Sequence, residues 1–181
     1  MERDVESILV SEEEIKQICK QLGEQITRDY EGKNLLVVSV LKGAVVFMGD
    51  LLREIKCHCL IDFLSVSSYS GTKTTGVVKF KKDLDIDPDG MDILIVADIL
   101  DSGITLSYLK GVLMGRNANS IKICTLLDKP ANRKADIKAD YIGKVIPDAF
   151  VIGYGLDYDE KYRNLPYIGI LKPSVYEEKG E

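Results

Sequence analysis

Ile93-Leu94-Ile95-Val96-Ala97-Asp98-Ile99-Leu100-Asp101-Ser102-Gly103-Ile104-Thr105-Leu106 decides the fold. The apolar run at its start is short and β-branched, which reads as a strand buried on both faces. Two carboxylates, Asp98 and Asp101, follow three residues apart, and a Ser-Gly-x-Thr turn follows them. From Leu106 to Leu113 the apolar spacing becomes helical. A small, hydroxylic turn between a strand end and a helix start presents free backbone N–H groups, a natural seat for phosphate. Acids beside a phosphate seat make sense when the ligand also carries hydroxyls or a metal. A sugar phosphate with metal nearby meets both conditions.

Working outward, strands and helices alternate. Ser11-Glu12-Glu13-Glu14 is a capping-box pattern, and Ile15, Ile18, Cys19, Leu22 and Ile26 form an amphipathic stripe after it. Leu35 to Leu41 reads as a strand, Gly43 to Ile55 as a helix and Leu60 to Val66 as a strand ending in serines. Gly71-Thr72-Lys73-Thr74-Thr75-Gly76 has no apolar residue and reads as a mobile loop, with Val77 to Leu84 as the return arm of a β-excursion. Asp87-Pro88-Asp89-Gly90 is a turn. Ser120 to Leu127 and Ala149 to Tyr154 read as later strands. This alternation implies a right-handed parallel α/β sheet, whose ligands bind beyond the carboxyl ends of the strands.

Two nucleotide motifs are excluded. No G-x-G-x-x-G lies between a strand and a helix, and after Gly71 to Gly76 the residues Val77-Val78 stand where a P-loop needs Lys and Ser or Thr. Cys57-His58-Cys59 reads as strand rather than metal site: alternation puts the histidine opposite the cysteines, and the chain has no second histidine.

The 181 residues suffice for one domain with a proper core. A net charge of −5 with no basic stripe argues against nucleic acid as a partner. No apolar run approaches the ~20 residues of a membrane span. The charged start, Met1-Glu2-Arg3-Asp4, lacks a signal-peptide core, so a cytoplasmic location is expected and the four cysteines are expected to be reduced.

Several further motifs accompany the opening stretch: Val40-Leu41-Lys42-Gly43, Ser68-Tyr69, Leu126-Leu127-Asp128-Lys129, the run Phe150 to Tyr158, and Arg163. In this order, from about Leu35 to Ile170, they resemble the type I phosphoribosyltransferases, which use phosphoribosyl pyrophosphate (PRPP). The resemblance is to the bacterial hypoxanthine-guanine branch of that family. It implies an α/β fold over residues 1–181 as a single domain. A central, mainly parallel sheet would be flanked by helices, with a small hood and a mobile lid loop.

The implied activity joins hypoxanthine or guanine to PRPP, giving IMP or GMP and pyrophosphate, with Mg²⁺ as cofactor and a homodimer or homotetramer as the assembly. By the same resemblance Asp101 is the general base or acid at purine N7, although an aspartate there could also cap the next helix. Asp98, Asp101, Ser102, Gly103, Ile104 and Thr105 would hold the 5′-phosphate and ribose. Lys42, Gly43 and Arg163 would receive pyrophosphate, in a family where the peptide before this lysine can be cis. Lys129, Phe150, Val151 and Asp157 would build the purine pocket, Ser68 and Tyr69 would open the lid, and Asp98 and Asp157 would face the metal. One position departs: Ala97 stands where the family usually carries an acid that serves the ribose. If that loss weakens the enzyme, Ala97→Glu should lower the KM for PRPP. The alternative from another class is a nucleotide-sensing regulatory protein on the same fold.

Overall fold

The computed structural model describes residues 1–68 and 78–177. Tyr69, expected in the lid, and the Gly71–Gly76 loop lie outside the described residues, as does the side chain of Ser68.

The nine strands described are β1 (Val5–Val10), β2 (Leu35–Leu41), β3 (Cys59–Ser68), β4 (Val78–Lys82), β5 (Asp92–Leu100), β6 (Ser120–Asp128), β7 (Tyr141–Val145), β8 (Val151–Ile152) and β9 (Ile168–Leu171). The helices are α1 (Glu12–Tyr30), α2 (Val45–Glu54), α3 (Ile104–Met114) and α4 (Pro173–Glu177). Six strands form one sheet in the order β4-β3-β2-β5-β6-β7, and β1-β9-β8 form a second, smaller one. In the larger sheet only β4 runs antiparallel, returning along the end of β3.

The period-2 alternation of β5 explains the layering. Leu94 and Val96 join an apolar layer under α1 and α2, with Phe47, Met48 and Leu51. Ile93, Ile95 and Ala97 face the other way, onto Leu106, Leu109 and Leu113 of α3. Both faces are covered, as a parallel strand requires. The start of α1 is as expected: Ser11 Oγ accepts the Glu14 N–H at 3.2 Å. The Glu14 side chain does not complete a capping box but meets Lys144 Nζ at 2.6 Å, tying α1 to β7.

One expectation is corrected. Ala149 to Tyr154 does not add a strand to the parallel sheet. Only Val151–Ile152 is extended, it pairs antiparallel with β9 in the small sheet, and β7 occupies the outer place instead. Gly153 and Gly155, at φ +95° and +98°, turn the chain away immediately after it.

Asp62 anchors the base of the β3–β4 arm. Its carboxylate is buried and accepts the N–H groups of Phe63, Asp85 and Ile86 at 2.7, 2.8 and 2.9 Å, with Lys82 Nζ at 3.5 Å. Burial pushes this carboxyl up, but the three N–H donors and Lys82 outweigh it and hold it below its ordinary range. Asp62→Ala strands those donors and is expected to cost about 3 kcal/mol, lowering Tm by about 6–12 °C. The ionic share is complete above the unfolded carboxylate value of ~3.9 and is lost as pH falls through the lower folded value. Thermal melts of the two proteins should therefore converge on acidification below about pH 4.

Among the described residues no helix is long and apolar enough to cross a membrane.

Candidate active site

The strand order reverses between β2 and β5, because β3 lies on the far side of β2 from β5. Open parallel sheets bind ligands in the crevice at such a switch point. The Lys42-Gly43 turn and Asp98 meet there. The Leu41–Lys42 peptide is cis. A Cβ on Gly43 would stand 1.7 Å from Asp98 Oδ2, and a Cβ on Gly155 would stand 2.0 Å from the Gly43 carbonyl. Only glycines let these three segments close on one another. Asp98 Oδ1 accepts the Ile99 N–H at 2.8 Å. Burial pushes its carboxyl up and the Asp157 charge adds to this, while the Ile99 and Asp98 N–H groups and Arg163 oppose it.

The turn after β5 leads directly into α3. Gly103 is left-handed at φ +78° and occupies the N-cap of α3, with no side-chain cap. Asp101 is therefore not the helix cap. Ser102 Oγ accepts the Ile104 N–H at 3.5 Å. A cavity of about 140 Å³ opens here, lined by Ile99, Leu100, Asp101, Ser102, Gly103, Thr105 and Leu106. Ile104 points outward, 44% exposed, and can contribute only its backbone N–H to that cavity. The first turn of α3 aims its free N–H groups and the positive end of its dipole at the same place.

A second cavity, of about 160 Å³, lies on the other side of Asp101 and Ile99, bounded also by Lys129, Ala149, Phe150, Val151, Leu156 and Asp157. It is smaller than the roughly 300–1,000 Å³ of pockets for drug-sized ligands, so it suits one flat ring system. Lys129 is buried, and its Nζ lies 3.1 Å from Asp101 Oδ2 and 3.5 Å from Asp148 Oδ1. Asp101 Oδ1 is buried and has no partner among the described residues. An acceptor left unpaired in a cavity wall is costly unless a ligand or water meets it. Phe150 forms one side, its ring set edge-on to Tyr158 at 5.6 Å and stacked with Tyr176 at 5.3 Å.

Above the crevice the charged groups interlock. Arg163 Nη1 donates to the Gly155 carbonyl at 2.7 Å, and Nη2 pairs with Asp157 at 2.9 Å and Glu160 at 3.3 Å. Lys42 Nζ pairs with Glu160 at 2.9 Å. Asp157 Oδ2 accepts the Glu160 N–H at 3.0 Å. Among the described residues no three His, Cys, Asp or Glu side chains form a metal cage. Asp98 and Asp157, near enough to repel, suit a magnesium ion that arrives with a phosphorylated substrate. Such an ion takes one or two protein carboxylates and fills its shell with phosphate oxygens and water.

Another hollow, of about 510 Å³, opens at the opposite end of the sheet, beside Asp85, Asp87, Asp89 and Arg116. It lies before the starts of β5 and β6, away from the switch point, and holds none of the residues above.

The phosphoribosyl transferase domain matches residues 6–159. The hypoxanthine-guanine phosphoribosyltransferase of Bacillus subtilis (strain 168) is 57% identical over 98% of this chain and 99% of its own. The chain belongs to the hypoxanthine-guanine phosphoribosyltransferase family. A crystal structure of a Staphylococcus aureus hypoxanthine phosphoribosyltransferase superposes with a TM-score of 0.94 at 55% identity, covering 97% of this chain and 96% of the other. The chain also spans 28% of the length of the bifunctional protein TilS/HprT of Listeria monocytogenes serotype 4b (strain F2365), at 53% identity over 98% of this chain. The Bacillus subtilis and Staphylococcus aureus relatives are phosphoribosyltransferases by name, and nothing in these comparisons favours the regulatory alternative.

Within this phosphoribosyltransferase, two site residues escape sequence reasoning. Glu160 bridges Lys42 and Arg163, yet in Asp157-Tyr158-Asp159-Glu160 it reads as part of a solvated acidic run. Asp148 orients Lys129 from the loop before Phe150, where nothing in its neighbours marks it.

Ala97 is 3% exposed, belongs to the apolar layer against α3 and lines neither cavity. An acid placed there would enter a packed apolar layer. Ala97→Glu is expected to lose about 2 kcal/mol by overpacking, a fall in Tm of about 5 °C, before any gain in PRPP affinity. Thermal melts beside PRPP saturation curves check this.

Proposed function

We propose that the chain acts as a single Mg²⁺-dependent phosphoribosyltransferase domain that joins hypoxanthine or guanine to PRPP, working in the cytoplasm as a homodimer or homotetramer. The observation that carries the reading is the Lys129–Asp101 pair in the cavity of about 160 Å³, with Asp101 Oδ1 unpaired among the described residues. In a 6-oxopurine, O6 and N7 are neighbours on one edge. Lys129 can donate to O6 while Asp101 meets N7 beside it, so one base engages both groups in a single pose.

Purine N9 forms the bond to C1′ as the C1′–oxygen bond to pyrophosphate breaks, and Asp101 takes the N7 proton. Its carboxylate also favours the positive charge that develops on base and ribose. Phe150 covers the base, and the Val151 backbone borders its far edge. The 5′-phosphate rests on the N–H groups from Asp101 to Thr105 and the Ser102 and Thr105 hydroxyls. Asp98 holds the ribose hydroxyls. Lys42, Gly43 and Arg163 receive pyrophosphate. Magnesium bound by Asp98 and Asp157, directly or through water, would neutralise charge on the leaving pyrophosphate. Ser68 and Tyr69 would open a lid that keeps water from the sugar cation.

The reading is tested by incubating the protein with PRPP, Mg²⁺ and hypoxanthine or guanine and identifying the product by mass. IMP and GMP are the expected products, and absence of a nucleoside monophosphate would overturn the assignment. A second expectation concerns Glu160. Its carboxylate holds the two cations that pyrophosphate needs, so Glu160→Gln should tighten pyrophosphate binding by ~2- to 5-fold, the scale of solvent-exposed pairs. Calorimetric titration with pyrophosphate measures it.

A further inference from the structure

Resting on the transferase reading, we infer that Arg133 is the positioning residue of the PRPP loop, fixing both Asp101 and the phosphate cradle from beneath. Its side chain is only 16% exposed. Nε donates to the Asp101 carbonyl at 2.8 Å, and Nη1 donates to the Ile137 carbonyl at 2.7 Å. Nη2 donates to the Leu100 carbonyl at 3.1 Å and to the Asp128 carboxylate. The rigid guanidinium fork thus spends its donors on acceptors from three separate segments.

The neighbouring backbone repeats the grip. Lys134 and Ala135 N–H both donate to the Ser102 carbonyl, at 2.9 and 3.1 Å, and Lys129 N–H donates to the Leu100 carbonyl at 3.0 Å. The carbonyls of Leu100, Asp101 and Ser102 are therefore all held by residues 129–135. In a trans peptide the N–H points opposite to the carbonyl. Holding three consecutive carbonyls on one side sends the N–H groups of Asp101, Ser102 and Gly103 to the other, which makes a nest for an anion. Gly103 shows how closely the clamp is docked. A Cβ there would lie 2.5 Å from Ile137 Cγ2 and 3.0 Å from Arg133 Cδ.

Arg133→Lys keeps the charge and loses the fork, and PRPP binding by calorimetry is measured beside turnover per folded enzyme. The expected result is a protein folded as wild type by circular dichroism. Its Kd and KM for PRPP should rise ~10-fold and its kcat fall ~10- to 100-fold, the scale of a slightly misplaced site. Millimolar methylguanidinium should restore part of the rate to Arg133→Ala. PRPP constants and kcat within about twofold of wild type in folded Arg133→Lys would overturn the inference. So would lost activity that follows only lost folded protein, with KM unchanged.

If the arginine variants do not fold, Asp128→Asn decides. It leaves the three carbonyl contacts and should raise the KM for PRPP by ~2- to 5-fold, and an unchanged KM would count against the clamp. A wild-type protein that binds PRPP but makes no nucleotide defeats the transferase reading, while the Kd ratio still decides the role of Arg133.

Discussion

Asp101→Asn is expected to bind PRPP within a few-fold of wild type and to lose most of its turnover, ~10²- to 10⁴-fold in kcat. The asparagine is nearly isosteric, and the PRPP loop is held through the Asp101 carbonyl and its neighbours rather than through the carboxylate. The phosphate cradle therefore survives. What disappears is the carboxylate that can take a proton in the base cavity, where its Oδ1 has no partner among the described residues, together with the negative charge that favours a cationic transition state. A fall in kcat with little change in KM marks an interaction made mainly in the transition state. Steady-state kinetics against both substrates check this, and near-normal turnover would remove Asp101 from the proton transfer.

Lys129→Met should act on the base rather than the donor. In the proposed pose Lys129 would supply the ammonium that a 6-oxo group accepts from, and adenine, with a 6-amino donor there, would have nothing to offer it. A site built around such a hydrogen bond rejects the mismatched partner by ~10⁴- to 10⁵-fold. In the variant kcat/KM for hypoxanthine and guanine should fall ~10²- to 10⁴-fold, with the KM for PRPP changing far less. Asp101 and Asp148 then lose the cation between them, and Asp101, freed of its 3.1 Å partner, becomes a less directed base. Competition assays over several bases measure the change in preference. If the hypoxanthine-to-adenine ratio stayed at its wild-type value, Lys129 would not be the residue that reads position 6.

Most of the site was legible because its residues lie in contiguous turns with strong local signals. The run into Asp98, the Gly103 turn and Lys42-Gly43 each follow a recognisable strand, and strand ends are where this architecture builds sites. The second sheet was not legible. Val5–Val10 is largely exposed, and its partner Ile168–Leu171 is more than 150 residues away, so no local period marks either strand. Ala149 to Tyr154 looked like one more parallel strand because apolar character cannot say which sheet takes it.

Arg133 and Glu160 were missed for a related reason. Lys129-Pro130-Ala131-Asn132-Arg133-Lys134 reads as a solvated basic loop, and only folding reveals the carbonyls that Arg133 meets. Ala97 is a different case: the motif position marks a missing acid, and only the fold shows the apolar layer in which its side chain is buried.

The most direct test is pyrophosphate release from PRPP with Mg²⁺, run in parallel with hypoxanthine, guanine, xanthine, adenine and no base. Base-dependent release is expected with hypoxanthine and guanine, and none above the no-base rate with adenine. Equal release with adenine would contradict the Lys129 reading, and no release with any base would contradict the transferase itself.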